Sequence, residues 1–117
     1  MYLVYYIAHT PFIFYSHSLK IHYNVYIFMK RFYILFIGQV QGVGFRWVLT
    51  TLANKYSVVG YCRNLENGNV ECEIQGKQDN LDAFLKEVFE HQGYIRIDDY
   101  YIKEIKTNDD RSFSVKY

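Results

Sequence analysis

The stretch "VECEIQG", residues 70–76, does most to limit how this chain can fold. Val70, Cys72 and Ile74 fall on one side of it, and Glu71, Glu73 and Gln75 on the other. A period of two with one apolar side describes a strand that buries one face and keeps the other polar. Asn67-Gly68 stands just before it, the strongest short hairpin signal available to a sequence. "SVVGYCRNL" ahead of that pair reads as the partner strand. The chain is therefore built around a sheet with only one covered face.

Two segments can supply the cover. Phe45, Leu49, Leu52, Ala53 and Tyr56 recur at helical spacing, giving an amphipathic helix of about three turns. Leu81, Phe84, Leu85, Val88 and Phe89 make a second apolar stripe. Asp79 is the expected N-cap of that helix, Asp82 the first-turn acid that complements its dipole, and Gly93 its end. A first strand is expected over "RFYILFIG", from Arg31 to a stop at Gly38, and two more over "DYYIKEIK" and "SFSVKY". The order is β-α-β-β-α-β plus a short final strand. That order predicts an α+β, ferredoxin-like split βαβ sandwich, with two helices on one face of an antiparallel sheet.

At 117 residues the chain fits one such domain. Its composition breaks near residue 29. Residues 1–28 hold one charged side chain, Lys20, together with the only proline and three of the four histidines. No signal-peptide pattern is visible there, and polar residues interrupt any run of about 20 apolar residues that could span a membrane. His9, His17 and His22 have no carboxylate or cysteine beside them and are not expected to bind metal. Residues 1–28 are expected to be a poorly ordered or non-native appendage, and residues 29–117 the working domain. Thirteen basic against twelve acidic residues leave a net charge of +1, which removes the electrostatic case for a general nucleic-acid binder. Cys62 and Cys72 are too few for a disulfide framework and not spaced as zinc ligands. They read as small buried residues in a reducing compartment.

The chemistry is expected at "GQVQGVGFR", residues 38–46, where three glycines occupy seven positions between a strand and a helix start. Amides at a helix N-terminus have no intrahelical partners and sit at the positive end of the dipole, so they suit an anion. Glycines let successive amides turn inward as a nest. The spacing matches neither Gly-x-x-x-x-Gly-Lys-Ser/Thr nor Gly-x-Gly-x-x-Gly, so this is not a nucleotide loop of either kind. Arg46 opens the helix against the dipole, which an anion bound there would offset.

"GQVQGVGFR" resembles the first signature of the acylphosphatase family. Gly60-Tyr61-Cys62-Arg63-Asn64, followed by Gly68, Val70 and Gly76, resembles the second, and "FSVKY" the closing strand. The resemblance runs from about Met29 to Tyr117 and has no counterpart for residues 1–28. It implies the same split βαβ fold and a hydrolase that cleaves the carboxyl–phosphate bond of acyl phosphates, giving a carboxylate and inorganic phosphate. It implies that Arg46 and the amides of Gln39, Val40, Gln41, Gly42, Val43, Gly44 and Phe45 bind the phosphoryl group, and that Asn64 positions the attacking water. It implies a small-molecule acyl phosphate as the only partner, no metal or other cofactor, and a cytoplasmic monomer without nucleic acid or stable membrane insertion.

Other jobs exist for this fold. An RNA-recognition module would need stacking aromatics and a basic signature, whereas "VECEIQG" is acidic at its exposed positions. A phosphate-handling domain of a larger maturation enzyme is a further possibility, as is a non-catalytic phosphate- or small-ligand-binding relative.

Overall fold

The computed structural model describes residues 29–91 and 93–117. The expectations for residues 1–28 lie outside the described residues. Strand β1 (Met29–Gln39) leads through a glycine loop to helix α1 (Phe45–Lys55). Strands β2 (Val59–Asn64) and β3 (Val70–Lys77) form a hairpin, and helix α2 (Gln78–Glu90) follows. Strands β4 (Arg96–Ile105) and β5 (Phe113–Lys116) complete the fold.

The sheet runs in the order β4-β1-β3-β2-β5. Its first four strands are antiparallel neighbours, as expected, but β5 lies parallel to β2, so the whole sheet is mixed. The reason is where the chain must cross. β4 ends at the same end of the sheet at which β2 starts, and residues 106–112 carry the chain from one edge to the other.

Arg31 ties down that crossing. It is 2% exposed, and its guanidinium donates to Glu73 Oε1 at 2.8 Å, Gln75 Oε1 at 3.1 Å, Asn108 Oδ1 at 3.0 Å and Asp110 Oδ2 at 2.9 Å. A buried charge is tolerable when its donors are matched this fully. The expected alternation of β3 is also present. Val70, Cys72 and Ile74 join Phe32, Ile34 and Phe36 in one apolar cluster with Leu49, Leu52, Leu81, Phe84 and Leu85 of the two helices. Glu71, on the other face, accepts from Tyr33 and pairs with Arg63.

Several expected boundaries shift. β1 does not stop at Gly38, because β4 carries an extra residue there: Ile37 pairs with Asp99 but Gly38 with Ile97. A Cβ on Gly38 would lie 2.2 Å from the Arg96 carbonyl oxygen, so glycine is what lets the strand pass the bulge. Asp79 is not the N-cap of α2. Helical geometry begins at Gln78, Lys77 precedes it with no side-chain cap, and Asp79 is the first-turn acid. α2 ends at Glu90, with the extended backbone of His91 stopping it before Gly93.

Asp82 accordingly sits beyond the first turn, where burial outweighs the Gln78 amide that donates to it at 3.1 Å. Burial pushes its carboxyl from an ordinary 3.8 up to about 6. Between those values the folded chain keeps a proton that the unfolded chain has lost. Stability contributed by this group is therefore full below the lower value and falls as pH rises to the upper one. Asp82→Asn is expected to melt above the wild type at pH 7, with the gap closing as pH falls toward 4. A gap independent of pH would contradict this assignment.

Candidate active site

The loop after β1 and the end of β2 meet at one end of the sheet. Gly42 and Gly44 have φ of 74° and 83°, left-handed values that a side chain strains to adopt. Gly44 is the N-cap residue of α1, and no side chain caps the helix there. Its first turn contains no acidic residue either, so neither device that usually satisfies a helix N-terminus is present.

Gln41 holds the loop to the neighbouring hairpin. Its Nε2 donates to the carbonyls of Leu65 at 2.7 Å and Asn69 at 2.8 Å. Those two residues also close the β2–β3 turn, with Leu65 N–H donating to Asn69 and Gly68 N–H to Leu65. Gly68 takes positive φ while Asn67 does not, so the Asn-Gly signal marks a hairpin with one left-handed residue rather than two. One side chain thus couples the glycine loop to the turn that follows Asn64.

A cavity of about 210 Å³ opens between them, lined by Val40, Gln41, Gly42, Gly44, Phe45, Arg46, Trp47 and Asn64. The structure therefore brings together Arg46, Asn64 and five of the seven expected loop residues. Gln39 and Val43 do not line it. Gln39 is exposed and accepts from Arg96 at 3.0 Å, while Val43 packs partly against the core.

Arg46 is half-buried, and its guanidinium lies 5.3 Å from the Tyr117 ring centroid. It forms no ion pair with any acid among the described residues. Asn64 Oδ1 is buried with no protein hydrogen-bond partner. An unpaired buried acceptor is costly and calls for a ligand or water to satisfy it. Burial pushes the nearby Cys62 thiol up to about 11, against the pull of the Arg46 charge. Burial holds the Cys72 thiol well above its ordinary value too. Burial thus favours the neutral thiol at both, the less reactive form. Among the described residues no three His, Cys, Asp or Glu side chains gather as a metal site.

The acylphosphatase family profile matches residues 32–115, which include the whole cavity. The chain belongs to the acylphosphatase family. The acylphosphatase of Clostridium beijerinckii is 39% identical over 90 residues, covering 76% of this chain and 100% of that one. The crystal structure of acylphosphatase from Bacillus subtilis superposes with a TM-score of 0.71 at 28% identity, covering 75% of this chain and 99% of that one. The structure of T. kodakarensis HypF also matches, with a TM-score of 0.68 at 31% identity. There 75% of this chain aligns with only 12% of the other, so the likeness is to one part of a larger protein. Relatives matched over their full length make this family member an acylphosphatase hydrolase. No described helix is long and apolar enough to cross a membrane.

Trp47 was not singled out by the sequence, although it lines the cavity at 70% exposure. A signal was present: a large apolar residue directly after Arg46, off the stripe that docks α1.

Proposed function

We propose that the amides at the start of α1 and the guanidinium of Arg46 hold the phosphoryl group of an acyl phosphate, and that Asn64 orients the water that attacks it. One observation carries this reading: the buried, unpaired Oδ1 of Asn64 belongs to the same cavity as Arg46 and the uncapped helix start. An acceptor there can take a hydrogen bond from water while the opposing donors take the phosphate oxygens.

The chemistry needs little more. Guanidinium is planar, permanently charged and bidentate toward phosphate oxygens, and a set of donors already fixed in place is the main protein contribution to phosphoryl transfer. The water oxygen forms the new bond to phosphorus as the phosphorus–carboxyl oxygen bond breaks. The leaving carboxylate has a pKa of about 4 and departs unprotonated. The water proton passes to an oxygen of the transferring phosphate, so no general acid or base is required of the chain. Arg46 and the amides supply the positive field at the phosphoryl group.

Benzoyl phosphate hydrolysis, followed with and without a chelator, tests this. The expected result is turnover that a chelator leaves unchanged. Activity lost in EDTA and restored by Mg²⁺ would contradict it.

A further inference from the structure

Trp47 is the only tryptophan of the chain, and it stands in the first turn of α1 beside Arg46. Val40 and Phe45, the other large apolar residues lining the cavity, are each 1% exposed and have almost no surface left to offer. Trp47 is 70% exposed and lines the same space. It pairs with no other aromatic ring among the described residues. The core of α1 is made instead by Phe45, Val48, Leu49, Leu52 and Ala53. The fold thus leaves a large apolar side chain in water on the wall of the cavity that holds Arg46 and Asn64.

We infer that Trp47 forms the acyl-side wall of the site, its indole packing against the organic group and favouring aryl acyl phosphates over acetyl phosphate. The inference rests on the phosphoryl assignment above. With the phosphoryl group against the helix start and Arg46, the acyl group extends toward the solvent-open side, where Trp47 supplies the apolar surface. Aromatic and apolar groups gain from such a face, whereas a methyl group covers little of it. Discrimination in an open apolar subsite is modest, about tenfold between a ring and a methyl group.

The test is the ratio of kcat/KM for benzoyl phosphate to that for acetyl phosphate. Trp47→Ala is expected to lower the ratio about tenfold, and Trp47→Phe to keep most of it. Because the chain has one tryptophan, the wild-type emission is an independent readout. Benzoate with inorganic phosphate present should quench it saturably, and acetate should not. A ratio within twofold of wild type in Trp47→Ala overturns the proposal. If that variant fails to fold, emission unmoved by benzoate overturns it instead. A wild type that hydrolyses neither substrate would overturn the phosphoryl assignment itself, whereas hydrolysis of both with an unmoved ratio removes only the role of Trp47.

Discussion

Arg46→Ala is expected to lose at least about a thousandfold in turnover of benzoyl phosphate, the scale on which a phosphoryl-directed arginine acts. Its guanidinium is the charged donor of the cavity, and among the described residues no acid neutralises it. Stability should move the other way. The side chain is half-buried, and its positive charge opposes the dipole of α1. Removing that charge should leave the fold intact or stabilise it by about 0.3–1 kcal/mol. Inactivity with an unchanged or raised melting temperature is thus the expected pair of results. Lys at this position should rescue poorly, because an ammonium lacks the bidentate fork. Near-normal turnover in Arg46→Ala would rule out the assignment.

Asn64→Ala should separate chemistry from binding. The proposed contact of Oδ1 is to the water before it attacks, whereas bound phosphate is held chiefly by the charge of Arg46 and the loop amides. Turnover should fall by about 10²–10³-fold, the usual loss when one aligned hydrogen-bonding group is removed from a transition state. No protein hydrogen bond to Oδ1 is lost with the side chain. Stability should therefore hold, and the melting temperature checks this directly. A variant that loses activity together with its fold would make Asn64 a structural residue of the hairpin end.

The parts of the fold legible in the sequence were those with a strict period. The alternation of Val70, Cys72 and Ile74 set which face of β3 meets the core, and the two helical stripes supplied its cover. Boundaries were harder, because they were settled by contacts distant in sequence. Nothing near Gly38 indicates that Asp98, sixty residues later, bulges out of β4 and lets β1 run on. Asp79 looked like a cap because its residue type favours one, but the backbone had already become helical at Gln78. The parallel β5 follows from the path of residues 106–112, which Arg31 fastens through Asn108 and Asp110.

In the site, the glycine loop and Arg46 stand out by residue type, whereas Asn64 stands out only through the resemblance of residues 60–76 to the second family signature. The resemblance assigns only the backbone amide of Gln41. Its side-chain amide has a separate role, a tether to the carbonyls of Leu65 and Asn69 that only the folded hairpin creates. Trp47 carries no periodic signal, because a lone exposed aromatic has none, and its significance lies in what stands beside it.

Calorimetric titration with inorganic phosphate tests most directly the division of labour between Arg46 and Asn64. It requires no turnover and can be run on all three proteins. The account predicts that wild type and Asn64→Ala bind phosphate within about twofold of one another, while Arg46→Ala shows binding weakened at least tenfold. Equal affinity in all three, or Asn64→Ala as weak as Arg46→Ala, would contradict it.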